Sequence, residues 1–146
     1  AKSEKERKAL WSFRDDVEKQ AQYGPTVMFD VSLPIGEMEE YVSKVDLNLQ
    51  KHWKDFRHIV WGHLADGNLH LVVGTGDLES DTIKKIENSV YEPLELIGGS
   101  ISAEHGIGLE KKPYLHLSRS EEEINYMKAL KNTFDPKGIL NPGLIF

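Results

Sequence analysis

His63 and His70 flank Asp66-Gly67 inside a stretch of β-forming residues, and that spacing is where chemistry first shows in the chain. Asp-Gly between two alternating apolar runs is a strong hairpin signal. With Asp66 and Gly67 as a two-residue turn, Ala65 pairs with Asn68, Leu64 with Leu69, and His63 with His70. Directly opposed side chains stand about 4.5–5.5 Å apart at Cβ, on one side of the sheet. Two imidazoles so placed can share a metal ion, since each nitrogen must come within roughly 2.0–2.1 Å of zinc. The plainer alternative is a pair of solvent-facing strand histidines. A third ligand has to be oxygen or nitrogen, because the chain has no cysteine. The best source is Glu104-His105-Gly106-Ile107-Gly108, an acid and a base at a strand end, with glycines that let the backbone turn tightly. An ordinary glycine loop with a surface glutamate is the alternative there. His63, His70 and Glu104 together form a two-histidine, one-carboxylate set that suits Zn, Mn or Fe and leaves positions open for a substrate.

The elements that must position these residues are legible in the periodicity. A capping box, Ser3 with Glu6, precedes a helical stripe at Leu10, Phe13, Val17 and Ala21, ended by Gly24-Pro25. Val27, Phe29, Val31 and Leu33 alternate with Met28, Asp30 and Ser32, a strand with one face on a core. Met38, Val42, Val45 and Leu49 mark a second helix running to about Trp53. The hairpin strands span 57–64 and 68–74, and Trp61 falls on the histidine face. Ile83, Ile86, Val90 and Leu94 mark a third helix, after which a short strand is expected at 100–103 and a glycine-rich loop at 104–109. A second capping box, Ser120 with Glu123, opens a last helix with Ile124, Met127, Leu130 and Phe134 at helical spacing. Asp135-Pro136 ends it before an irregular tail. After the first helix the order is β-α-β-β-α-β. The expected class is therefore α+β, a ferredoxin-like antiparallel sheet with helices packed on one face.

Composition removes several functions. Across 146 residues there are 24 acidic and 18 basic side chains, a net charge of −6, with no basic stripe for a nucleic-acid backbone. The missing cysteines exclude disulfides, thiolate metal sites, iron–sulfur clusters and thiol catalysis. No apolar run approaches the roughly 18 residues of a membrane span, and the charged N-terminus is not a signal peptide. A soluble protein is expected, and its compartment, cytoplasm or mitochondrion, is left open. Residues 1–146 read as one domain, and Ala1 in place of Met points to a piece of something longer.

Three ordered motifs carry a resemblance: Gly62-His63-Leu64-Ala65-Asp66-Gly67-Asn68-Leu69-His70, Ser102-Ala103-Glu104-His105-Gly106-Ile107-Gly108, and Asp135-Pro136-Lys137-Gly138-Ile139-Leu140-Asn141-Pro142-Gly143. Over its whole length the chain resembles the C-terminal domain of FAD-linked oxidases acting on D-2-hydroxy acids. That group includes D-lactate dehydrogenases, D-2-hydroxyglutarate dehydrogenases and the glycolate oxidase D subunit, within the vanillyl-alcohol oxidase superfamily. The resemblance implies that His63, His70 and Glu104 bind a divalent metal, zinc first, with manganese or iron as alternatives. It implies His105 as general base beside the flavin, Asn68 touching substrate, Arg14 holding the substrate's α-carboxylate, and Asn141-Pro142 near the flavin ring. Three positions depart from the family pattern. Ala65 stands where glycine is usual, Leu144 where lysine is usual, and Met28 where the hydroxyglutarate-type members carry a basic residue.

The chain has no G-x-G-x-x-G between strand and helix to cradle a pyrophosphate. In the family, FAD is held mainly by a separate N-terminal domain, so this chain is expected to be the substrate domain alone, colourless and inactive by itself. Its expected partners are a small 2-hydroxy acid and that FAD domain of the same polypeptide. The electron acceptor and any homo-oligomer are left open. Met28 directs the expectation to a monocarboxylic, lactate-like D-2-hydroxy acid. Two other classes remain open: a stand-alone metal hydrolase or non-haem iron enzyme using the same three ligands, and a ferredoxin-like binding module without chemistry, a common use of that fold.

Overall fold

The computed structural model describes residues 1–15 and 24–146, the side chains of 13–15 excepted. Helix α1 (Glu4–Asp15) precedes strand β1 (Val27–Ser32) and helix α2 (Met38–Gln50). Strands β2 (Arg57–His63) and β3 (Asn68–Gly74) are followed by α3 (Ser80–Glu95), the short α4 (Gly108–Lys111) and α5 (Glu121–Phe134). The three strands form one antiparallel sheet in the order β1-β3-β2.

The alternation that predicts β1 also explains the layering. Phe29 and Val31 of β1, and Leu69, Leu71 and Val73 of β3, are buried in a cluster with Tyr41, Val45 and Leu49 of α2 and Ile86, Val90 and Leu94 of α3. Both helices thus cover one face of the sheet. Fully burying side chains such as Leu49, Leu71 or Leu94 is worth roughly 1.5–3 kcal/mol each.

Two details differ from the sequence expectation. Residues 100–103 do not form a fourth strand. They contribute a single bridge between Ser32 and Ser100, with backbone hydrogen bonds of 3.0 and 2.7 Å, after which the chain bends away. The bridge lies beside β1, where a ferredoxin-like sheet places its last strand. Nor is the hairpin closed by two residues. Leu64–Asp66 form a 3-10 turn, and His63 pairs with Asn68 and Trp61 with His70. A two-residue primed turn of the Asn-Gly or Asp-Gly type needs positive φ at both central residues, whereas here Gly67 alone in the turn takes it, at 76°. Asp66 instead accepts the Asn68 N–H through its side chain at 3.1 Å. Gly67 is also pressed against β1's exit: a Cβ there would lie 2.4 Å from the Leu33 carbonyl oxygen. The register is displaced by two, and an even displacement keeps every side chain on its face.

The outer helices are less integrated. The Ser120/Glu123 capping box forms, yet α5 buries no residue, and Leu130 and Phe134 are 60% and 79% exposed. In α1, Leu10 and Trp11 are also exposed. The remaining stripe residues, the Phe13 side chain with Val17 and Ala21, lie outside the described residues. No helix among the described residues is long and apolar enough to cross a membrane.

Candidate functional site

The sheet face away from α2 and α3 carries the polar residues. Asp30, His70 and Trp61 form one rung across β1, β3 and β2, and Ser32, Asn68 and His63 form the next. His63 and His70 are therefore diagonal neighbours, with ring centroids 5.5 Å apart. The Trp61 ring lies 5.6 Å from that of His70 and walls it on the β2 side. Gly62 lets the two strands close: a Cβ there would lie 2.1 Å from the Asn68 carbonyl oxygen.

Glu104 arrives from the loop after the Ser100 bridge. Its Oε1 is 3.3 Å from His63 Nδ1 and accepts a hydrogen bond from Asn68 Nδ2 at 2.8 Å. Candidate ligand atoms of His63, His70 and Glu104 all lie within 4.8 Å of one another. Two ligands on one tetrahedral zinc ion sit about 3.3 Å apart, given bonds near 2.0–2.1 Å. The donor set and its spacing thus fit a divalent metal. Asn68 Oδ1 is buried without a partner beside the cluster.

His105 stays close to Glu104, with ligand atoms of Asp30, Glu104 and His105 within 4.8 Å of one another. Residues 103–105 curl around Asp30, whose Oδ2 accepts the backbone N–H groups of Ala103, Glu104 and His105 at 3.2, 2.7 and 2.8 Å. The curl brings the exposed His105 ring over His70, centroids 6.2 Å apart and nearly parallel. Asp30 itself is 1% exposed. Burial pushes its carboxyl upward, but the donated N–H groups and the Lys111 and His105 charges outweigh this and hold it below the usual Asp range. Lys111, on α4, lies 3.8 Å from Asp30 Oδ2 and donates to Ser102 Oγ at 2.9 Å. Burial depresses its pKa against the pull of Asp30.

His63, His70, Glu104, Asn68 and His105 are thus brought together as the motifs imply. Arg14 lies in the last turn of α1, and its side chain is outside the described residues. Asn141-Pro142 forms an exposed corner of the tail, with Asn141 at φ 45°. That corner is held by Lys112 donating to the Gly143 carbonyl at 3.0 Å and Lys131 donating to that of Leu140 at 2.6 Å. Asp30 and Lys111 are the residues that motif reading passes over, and Ser102 opens the second motif with no role assigned to it. The one available signal was a lone acid on the polar side of β1.

A ferredoxin-like sheet bearing a two-histidine, one-carboxylate cluster under a carboxylate-held loop defines a candidate metal- and ligand-binding domain. The family is definite: residues 1–145 match the FAD linked oxidases, C-terminal domain, and the chain belongs to that family. It is similar to D-2-hydroxyglutarate dehydrogenase of Stutzerimonas stutzeri, 37% identical over 155 residues that cover 100% of this chain and 32% of that protein. The mitochondrial D-2-hydroxyglutarate dehydrogenase of Danio rerio is 40% identical over 136 residues, 92% of this chain and 25% of that protein. Glycolate oxidase subunit GlcD of Bacillus subtilis is 36% identical over 124 residues, 83% of this chain and 26% of that protein. The chain therefore spans about a third or less of these relatives' length.

Proposed function

We propose that the chain is the substrate- and metal-binding domain of a flavin-dependent dehydrogenase that converts a D-2-hydroxy acid to its 2-oxo acid, with hydride transfer to FAD. The flavin belongs mainly to a separate N-terminal domain of the same polypeptide. That domain's presence accords with the length of the relatives and with the uncovered apolar side of α5. The observation that carries the reading is the His63, His70, Glu104 cluster on the open sheet face.

His63, His70 and Glu104 would hold a divalent ion, zinc first, which when bound supplies Lewis-acid polarisation of the substrate hydroxyl. FAD, when bound, supplies the two-electron acceptor. The protein's own residues supply position and proton transfer. His105 takes the hydroxyl proton at Nε2, the ring nitrogen away from Asp30, since Nδ1 lies 3.9 Å from Asp30 Oδ2. Asn68, already fixed on Glu104, presents its amide to the substrate. Arg14 clasps the α-carboxylate and so sets which face of Cα meets the flavin. Asn141-Pro142 borders the ring.

Met28 refines the substrate. It lies on the site face of β1, two residues from Asp30, and is 56% exposed. A thioether offers no charge to a second carboxylate, so a monocarboxylic, lactate-like acid is the substrate. The test is anaerobic flavin reduction in the full-length polypeptide. Reduction by D-lactate should exceed that by D-2-hydroxyglutarate at least about tenfold in kcat/KM, and a chelator should abolish both. Equal or reversed preference contradicts the substrate assignment; chelator-insensitive reduction contradicts the metal.

A further inference from the structure

We infer that Asp30 is a positioning residue that sets two of the three candidate ligands, and His105, from one buried carboxylate. Its two oxygens are used differently. Oδ2 collects the N–H groups of three successive residues, and this fixes where Glu104 and His105 leave the backbone. Oδ1 is buried without a partner and faces Nδ1 of His70 at 3.9 Å. A small approach converts that distance into a carboxylate–imidazole hydrogen bond, the kind that fixes the tautomer and tilt of a ligating histidine and leaves its Nε2 for the metal. Lys111 and the Ser102 hydroxyl brace the carboxylate from the α4 side. Rung geometry explains why Asp30 can serve both: it is the direct β1 neighbour of His70, and the bent segment after Ser100 crosses above it.

The inference rests on the metal reading only for His70 and Glu104. The loop anchoring stands without any ion, and the experiment separates the two. In the full-length polypeptide, Asp30→Asn keeps the side-chain shape while removing the charge. Amide hydrogen exchange without metal should quicken at Glu104 and His105 at least about tenfold, with the β1 and β3 amides little changed. Zinc affinity, measured by chelator competition, should fall roughly 10–100-fold. Unchanged exchange at 104 and 105 overturns the anchoring, as does an equal rise across β1 and β3, which would make Asp30 a general stability residue. Local loosening with wild-type zinc affinity overturns the link to the ligands. If wild type and Glu104→Gln bind zinc alike, the metal reading itself fails, and the exchange result still decides the anchoring. Should Asp30→Asn fail to fold, Ser102→Ala removes one brace and must loosen the same two amides; no loosening there overturns the proposal.

Discussion

Asp30 and Asp135 each pair with a lysine and each gather backbone N–H groups from a turn of chain, yet one is central to the site and the other secures the tail. Asp30 accepts from residues 103–105 and is braced by Lys111. Asp135 accepts from Ile139 at 2.9 Å and Leu140 at 2.8 Å and pairs with Lys131 one helical turn back. The Asp30 device spans β1, the loop and α4, so it joins segments more than seventy residues apart in sequence. The Asp135 device is local, the end of α5 folding its own exit around a side chain. A long-range clasp fixes relative position between elements, whereas a local clasp fixes only the direction in which the chain departs.

This contrast orders the expected effects. Asp30→Ala strands a buried lysine and three N–H groups, and should cost about 3–5 kcal/mol, read in the full-length polypeptide as exchange protection lost at residues 103–105 well beyond any loss in β1 and β3. Asp135→Ala should leave those strands untouched and free only Ile139 and Leu140. Gly62→Ala tests the sheet between the two histidines. Its Cβ would meet the Asn68 backbone at 2.1 Å, so the hairpin must shift, at about 1–3 kcal/mol or more, and zinc affinity should fall with it.

A pH titration sharpens the comparison further. The Lys131 partner, opposed by some burial and aided by the Leu140 and Ile139 N–H groups, lowers the Asp135 carboxyl from 3.8 to about 2. A depressed folded pKa gives stability that is complete above the unfolded value and is lost as pH falls through the folded one. Protection at Ile139 and Leu140, taken relative to intrinsic amide exchange at each pH, should therefore be constant above about pH 4 and fall between 3.8 and about 2. Asp30, also lowered, should release residues 103–105 on acidification in the same direction. The smallest effect concerns α5: Phe134→Ser should change the stability of β1–β3 by no more than about 0.5 kcal/mol. In the full-length polypeptide it should instead weaken contact with the flavin domain, read as easier flavin loss on dilution.

The sequence made the strands and inner helix faces readable because apolar residues there recur at a regular period, two in β1 and close to four in α2 and α3. It made the candidate ligand set readable because the chain has only six histidines, and His63, His70 and His105 each stand in a glycine-bearing motif. The hairpin closure differs from the two-residue expectation because Asp66-Gly67 is equally compatible with a longer turn, and contact with Leu33, thirty-odd residues earlier, decides between them. Even so, the histidines remained on one face, since the displacement was even. The missing fourth strand is a local effect: the Ser102 N–H turns to Ser100 Oγ at 3.4 Å, and the Ala103 N–H is shared between the Asp30 carbonyl and carboxylate, so no ladder continues past Ser100. The stripe of α5 is correctly helical but faces outward, because periodicity reports an amphipathic face without naming what covers it.

Neighbours in the chain offer the sharpest test of the site. Glu104 reaches toward His63 while His105 stacks on His70, and in the proposed function the first binds metal and the second takes the proton. The measurement is zinc content and affinity of full-length Glu104→Gln and His105→Asn, alongside anaerobic flavin reduction by D-lactate. Glu104→Gln should lose zinc and reduction together. His105→Asn should keep zinc while reduction slows by roughly 10²–10⁴-fold. Zinc lost from His105→Asn but retained by Glu104→Gln would contradict the account.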